Sequence, residues 1–242
     1  MNHRRPVKAP SSAEQFVEHA LIIDAIELKE RELKSGRHSP YFFNSGKFCS
    51  GHSMKKVSSA YARVIHDRFQ KDGNFAFDIL YGPPYKGTVL VPAVAVALDT
   101  MVPNLSGYGS FRFCSSRKEA KDHGEGGLLI GAPIRPGDRV LIVDDVITDG
   151  WTKKEAVKFI EEQGGEPVGL AIAFDRQEKT HDSELETSRE LSAVQEFEQT
   201  YHIPVVAVAT LNDLVKVLER QGGEEKKKVL EKIRAYQKMY GV

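Results

Sequence analysis

Two acidic side chains, Asp144 and Asp145, stand together behind the apolar run 140–143 in the stretch VLIVDDVITDG (140–150). Paired carboxylates at the end of a buried strand can accept hydrogen bonds from a sugar diol or help to hold a divalent cation. The residues that follow supply the complement. Val146, Ile147, Thr148, Asp149, Gly150 and Trp151 read as a turn leading into a helix at Thr152. Backbone N–H groups and the positive end of that helix then converge on one point, which makes a cradle for a phosphate. Acids for hydroxyls and amides for phosphate describe a grip on a ribose 5-phosphate. The chain has neither G-x-x-x-x-G-K-[ST] nor a G-x-G-x-x-G behind a strand, so a triphosphatase loop and a dinucleotide fingerprint are both excluded.

A second constellation is RKEAKDHGEGG (117–127), in which Arg117, Lys118, Lys121 and His123 are followed by Gly124, Gly126 and Gly127. Glycines give mobility and cations bind anions, so this stretch reads as a flexible loop able to close over a polyphosphate and stabilise a charged leaving group. Glu119, Asp122 and Glu125 alternate with the bases, and by itself the stretch would serve equally as a solvated loop. A third piece, YGPPYKG (81–87), is a tight turn after a strand, and it carries Lys86 towards a second phosphate. Together the three imply a ribose with phosphate at one end and a second polyanion at the other.

The elements that must position these residues follow from periodicity. Residues 12–26 have apolar residues at Phe16, Ala20 and Ile23, a helical spacing that opens with Ser12 as N-cap. The segment 27–44 reads as a small strand or hairpin around Ser35-Gly36. Helices are expected over 53–70, 88–98, 152–163 and 212–219, and strands over 77–82, 107–113, 128–133, 139–145, 168–174 and 204–210. Residues 115–127 and 177–188 read as polar loops, and the C-terminal segment has helical spacing at Val229, Ile233 and Tyr236. Apolar strands alternating with helices predict an α/β fold with a mainly parallel sheet flanked by helices.

Length and composition agree with one globular domain: 242 residues, 40% of them hydrophobic. Lys plus Arg and Asp plus Glu both number 34, so no net field would hold a nucleic acid or an anionic membrane. The two cysteines, Cys49 and Cys114, lie far apart without C-x-x-C spacing and read as reduced thiols in a cytoplasmic protein. No apolar run approaches the ~20 residues of a membrane-spanning helix. Residues 1–11 read as a disordered arm before a single domain over 12–242.

The motifs carry a resemblance. VLIVDDVITDG resembles the signature of type I phosphoribosyltransferases, and RKEAKDHGEGG is similar to the mobile catalytic loop of the orotate phosphoribosyltransferases. LKSGRHSPYFFN (33–44), GPPYKG (82–87), FDRQE (174–178) and SAVQEFE (192–198) are similar to further segments of that family. The resemblance implies a type I phosphoribosyltransferase fold with a small N-terminal hood at about 12–50, a core at about 51–221 and a C-terminal helix at about 224–240. It implies Mg2+-dependent transfer of the 5-phosphoribosyl group from phosphoribosyl pyrophosphate to orotate, with Mg2+ held mainly through substrate and water. A phosphoribosyltransferase for another base, or a regulator that binds phosphoribosyl pyrophosphate without turnover, are the alternatives.

By the same resemblance Asp144 and Asp145 hold the ribose hydroxyls, Thr148 to Thr152 wrap the 5-phosphate, and Val146 and Ile147 complete the set that binds phosphoribosyl pyrophosphate. Lys86, Arg117, Lys118, Lys121 and His123 bind the pyrophosphate, Lys121 and His123 acting on the leaving group. Lys34, Phe42, Phe43, Thr148 and Arg176 contact orotate, and a homodimer shares its active sites. The family usually has T-A-G-T in the phosphate loop. Here Thr148-Asp149-Gly150-Trp151 brings a carboxylate beside the phosphate and removes a hydroxyl, for which Thr152 is the substitute. The segment 179–190 is longer and more charged than is usual in the family, and reads as a surface insertion.

Overall fold

The computed structural model of the chain describes residues 9–33, 35–102, 111–121, 127–147, 151–182 and 187–242. Helix α1 (Ser12–Ile22) begins on Ser11, whose side chain accepts a hydrogen bond from the Glu14 N–H at 3.2 Å. The cap is therefore Ser11 and not Ser12, because only the extended residue outside the helix can turn its oxygen back onto the free N–H groups of the first turn. Four two-residue strands follow: β1 (Ile26–Glu27), β2 (Arg31–Glu32), β3 (His38–Ser39) and β4 (Phe42–Phe43). They nest as two antiparallel pairs, β2 with β3 inside β1 with β4. A short 3-10 turn, Ser45–Lys47, leads to α2 (Gly51–Phe69), and the hairpin β5 (Gln70–Lys71) and β6 (Asn74–Phe75) closes this part.

The remainder alternates as expected: β7 (Ile79–Gly82), α3 (Lys86–Met101), β8 (Arg112–Lys121), β9 (Gly127–Gly131), β10 (Arg139–Asp144), α4 (Trp151–Glu162) and β11 (Glu166–Asp175). Then come β12 (Lys179–Asp182), β13 (Thr187–Ser192), α5 (Ala193–Tyr201), β14 (Val205–Thr210), α6 (Leu211–Gln221) and α7 (Glu224–Tyr240). The central sheet has the order β14-β11-β10-β7-β8-β9, and only its last pair is antiparallel.

The continuous apolar runs have a direct explanation, since alternate residues face opposite layers. Leu80, Leu141, Val143, Ala171 and Ala173 pack into the core beneath α1, α2, α3 and α6, while Tyr81, Ile142, Leu170 and Ile172 pack with Ala156, Val157 and Ile160 of α4 and Phe197 of α5. Among the described residues no helix is long and apolar enough to cross a membrane, and both cysteines are free, Cys49 exposed and Cys114 buried.

Three expectations are corrected. The basic stretch from residue 115 is strand as far as Lys121, because β8 pairs with β9 through Ser115↔Ile130, Ser116↔Leu129 and Lys121↔Gly127. The polar segment after residue 177 is not all loop, since β12 and β13 pair antiparallel with Lys179 opposite Ser192. Helix α5, absent from the pattern reading, is started by a capping box in which Ser192 and Gln195 satisfy each other's backbone N–H groups.

The entry to β10 is clamped to that of β7. Arg139 donates to the Asp78 carboxylate from Nε at 3.0 Å, from Nη2 at 2.8 Å and from its backbone N–H at 2.9 Å. These bonds hold the Asp78 carboxyl below its usual range, the side-chain bond from Arg139 being the largest cause. A depressed folded-state pKa adds stability that is complete above the unfolded value of about 4 and is lost as pH falls through the folded value. Urea unfolding should thus show Asp78→Asn weaker than the parent by a constant margin from pH 7 down to about 4, with the margin shrinking at lower pH.

Candidate active site

The acidic pair stands where β10 leaves the sheet between β7 and β11. Asp144 is 5% exposed, and its carbonyl oxygen accepts a 2.6 Å hydrogen bond from the hydroxyl of Tyr61 in α2. Its Oδ1 accepts from the N–H of Asp145 at 2.9 Å, and Asp145 Oδ1 accepts from the N–H of Val146 at 2.8 Å. The Asp145 carbonyl in turn accepts from the N–H of Ala173 at 2.8 Å, which fixes the pair against β11. Burial, then Asp145 and Asp144, push the Tyr61 hydroxyl well above its ordinary pKa, so it stays a donor. Removing that hydroxyl leaves a buried carbonyl unsatisfied, and Tyr61→Phe should cost about 1–3 kcal/mol in denaturant unfolding.

The N-terminal segment closes onto this pair. Ser45 donates a short hydrogen bond from Oγ to Asp145 Oδ2, and the Asn44 side chain caps the same turn by accepting from the Gly46 N–H at 3.0 Å. Lys86 arrives from the other side. Its Nζ would lie 3.1 Å from a Cβ placed on Gly46. Asp145 and Lys86 thus meet the same 44–46 turn although one follows β10 and the other begins α3.

Lys86 is aimed by close backbone packing. A Cβ on Gly82 would fall 2.2 Å from the Gly87 carbonyl oxygen, and one on Gly87 would fall 2.7 Å from that of Val143. Only glycines let the Pro83-Pro84-Tyr85 turn press against the end of β10. The Pro84–Tyr85 peptide is cis. Ser115 Oγ donates to the Gly82 carbonyl at 2.6 Å and bonds Thr88 Oγ1 at 2.5 Å, tying the turn to β8.

On β8, Arg117 donates from Nη1 to the Leu129 carbonyl at 2.7 Å and the Gly127 carbonyl at 3.3 Å, so this edge of its guanidinium braces β9. At the expected base site the two phenylalanines divide, as neighbours on a strand must. Phe43 is buried and stacks on Phe174 with centroids 5.4 Å apart, whereas Phe42 is half-buried with Arg31 5.0 Å over its ring. Arg176, just past β11, pairs with Glu178 at 2.9 Å. Val146 and Ile147 pack into the two core layers.

Of the remaining expected residues, Lys34, His123, Thr148, Asp149 and Gly150 lie outside the described residues, as do the side chains of Lys118, Lys121, Trp151 and Thr152. Pattern reading missed Ser45 and Tyr61. The Asn44-Ser45-Gly46 run was a turn signal in sequence, but Tyr61 was only one position in a helix. Among the described residues no three His, Cys, Asp or Glu side chains gather as a metal cage. The donor set that is present, two adjacent carboxylates, suits Mg2+ shared with substrate phosphates, the usual arrangement for an ion that keeps much of its water.

Comparison with known proteins places this arrangement. The phosphoribosyl transferase domain family matches residues 52–204. The chain is 43% identical over 229 residues to an orotate phosphoribosyltransferase of Neisseria meningitidis serogroup C, covering 95% of this chain and 97% of that one. It is 44% identical over 229 residues to that of Chromobacterium violaceum, with 95% and 97% covered. A crystal structure of the Francisella tularensis orotate phosphoribosyltransferase superposes with a TM-score of 0.75 at 30% identity, covering 94% of this chain and 100% of that chain. A Mycobacterium tuberculosis orotate phosphoribosyltransferase bound to 5-phospho-α-D-ribosyl 1-diphosphate shares the fold, with a TM-score of 0.58 at 18% identity over 84% of this chain and 99% of that one. Because the domain family spans more than half of the chain, and the Neisseria and Chromobacterium enzymes are matched over nearly its whole length at 43% and 44% identity, the chain belongs to the orotate phosphoribosyltransferase family.

Proposed function

We propose that this protein transfers the 5-phosphoribosyl group from phosphoribosyl pyrophosphate to orotate, giving orotidine 5-monophosphate and pyrophosphate in pyrimidine synthesis. The observation that carries the reading is one segment, 39–46, which meets Arg176 through Ser39 at 3.4 Å and Asp145 through Ser45, and runs beside Lys86, whose Nζ would lie 3.1 Å from a Cβ on Gly46. A group that reads a carboxylate, a group that holds a diol and a group that binds phosphate therefore share one wall.

In this reading Asp145, with Asp144 behind it, accepts from the ribose hydroxyls, and Ser45 gives way to the substrate. Residues 146–152, with the N-terminus of α4, take the 5-phosphate. Lys86, Arg117, Lys118, Lys121 and His123 take the pyrophosphate, and Lys121 and His123 stabilise the charge that grows as the C1–O bond breaks. Arg176, Lys34, Thr148 and the face of Phe42 orient the base. Phe43 acts from beneath through Phe174. Mg2+, when bound with the diphosphate, supplies neutralisation of its charge. Placing nucleophile and C1 in line is the larger contribution of the chain itself.

A homodimer in the cytoplasm is part of the proposal. Its support is an apolar stripe at helical spacing, Tyr85, Val89 and Val96, exposed by 68%, 59% and 66%, and a second patch at Phe113, Leu128 and Ile130. Sedimentation should give twice the chain mass.

The test is loss of orotate absorbance with phosphoribosyl pyrophosphate and Mg2+, with other bases run in parallel. Turnover confined to orotate supports the reading. Phosphoribosyl pyrophosphate binding by calorimetry without turnover would replace it with a regulator, as Asp149 and Trp151 in the phosphate loop would then suggest.

A further inference from the structure

We propose that Glu178 is a positioning residue that aims Arg176 at the base, and that the C-terminal helix α7 holds Glu178 for this task; the proposal rests on Arg176 reading the orotate carboxylate.

Glu178 is surrounded by donors. Its Oε1 accepts from Arg176 Nε at 3.1 Å, from Arg176 Nη2 at 2.9 Å and from the Tyr41 hydroxyl at 2.7 Å, and its Oε2 accepts from the Tyr236 hydroxyl at 3.1 Å. The two charged side chains are only 15% and 9% exposed. Arg176 also lies over the Tyr41 ring, 5.2 Å from its centroid. A guanidinium is a rigid planar fork, so engaging its Nε–Nη2 edge fixes the direction of the Nη1 edge. Among the described residues no hydrogen bond ends at Nη1 of Arg176. That edge is left for a ligand carboxylate.

The clamp is closed by the end of the chain. Tyr236 belongs to α7, and burial pushes its hydroxyl up to about 12, so it remains a donor to Glu178 at neutral pH. Gly241 pairs as an antiparallel bridge with Glu178, and the Val242 N–H donates to the Gln177 carbonyl at 3.2 Å. Gln177 stands at φ 52° in the turn between Arg176 and Glu178, and its side chain accepts from the N–H of Asn212 at 3.0 Å. Arg37 packs over the Tyr240 ring at 4.6 Å and donates to the Lys179 carbonyl at 2.6 Å, which brings the β2–β3 hairpin onto the same corner. The C-terminal residues therefore complete the wall behind the base-reading arginine.

Geometry and charge predict opposite signs. If Glu178 acted only through charge, it would offset Arg176 and weaken an incoming anion, so its neutralisation would tighten orotate binding. If it acts by fixing the fork, neutralisation frees Arg176 to swing and weakens orotate binding.

The experiment measures separate KM values for orotate and phosphoribosyl pyrophosphate, with melting curves, in the full chain carrying Glu178→Gln, Tyr236→Phe or Arg176→Lys. The expected result is an orotate KM raised about tenfold by Glu178→Gln and about threefold by Tyr236→Phe, with the KM for phosphoribosyl pyrophosphate held within about twofold. A lower orotate KM in Glu178→Gln, or equal changes in both KM values alongside a lower melting temperature, would overturn the proposal. If Glu178→Gln does not fold, Tyr236→Phe decides by the same split. Should Arg176→Lys raise the orotate KM while neither other variant does, the proposal fails and the function stands. Absence of orotate turnover in the parent protein removes both.

Discussion

Replacing Lys121 with Ala should lower kcat by about 10²- to 10³-fold, the loss expected when one preorganised donor to a developing charge is removed. Strand β8 runs to Lys121, where the backbone pairs with Gly127 at the start of β9. The residue thus sits at the last position of β8, its backbone anchored by that pairing. A leaving pyrophosphate gains charge on the oxygen that departs from C1, and an ammonium group brought there matters more in the transition state than in the ground state. The β8–β9 ladder is made by backbone groups, so the melting temperature should stay near that of the parent. A fall in kcat with little change in KM would place Lys121 on the leaving group. A rise in KM with kcat preserved would mean that it only helps to bind the diphosphate.

Gly82→Ala should be the most damaging single methyl in the site. The added Cβ would lie 2.2 Å from the Gly87 carbonyl oxygen and 2.9 Å from Val91 Cβ, both on the first turns of α3. Backbone on either side cannot rotate away as a flexible side chain can, so β7 and α3 must separate. Overpacking of this kind costs about 1–3 kcal/mol, and more where backbone has to move. The separation also displaces Lys86 at the start of α3, and misplacing a binding group by about 1 Å can cost 10²-fold in rate. Denaturant unfolding together with kcat/KM checks both parts. Unchanged stability with normal activity would mean that the turn has slack the packing distances deny.

Much of this molecule could be read along the chain because the relevant physics is local. The central stretches of β7, β10 and β11 are apolar, as residues buried on both faces must be, and each strand was legible from that short run between polar ends. The place of Asp144 and Asp145 followed as well, since charges directly behind such a run can only stand at the end of a strand. The family resemblance rests on these same short stretches, and the relatives that match run nearly the full length of the chain.

What tertiary structure decided are the pairings between distant residues. Whether 115–121 is loop or strand depended on β9, whose ladder gives the polar, charged residues of β8 a place that their own propensities do not predict. The same holds for β12 and β13, which polar composition marked as loop. Phe42 and Phe43 are equivalent in sequence, and the register of β4 with β1 sends Phe43 into the core. Tyr61 and Asp144 are 83 residues apart, Ser45 and Asp145 100, and Tyr41 and Glu178 137. Period and capping describe what a residue does with neighbours three or four positions away. They carry no information about which helix will lay a hydroxyl on a strand end, and that choice belongs to the packed fold.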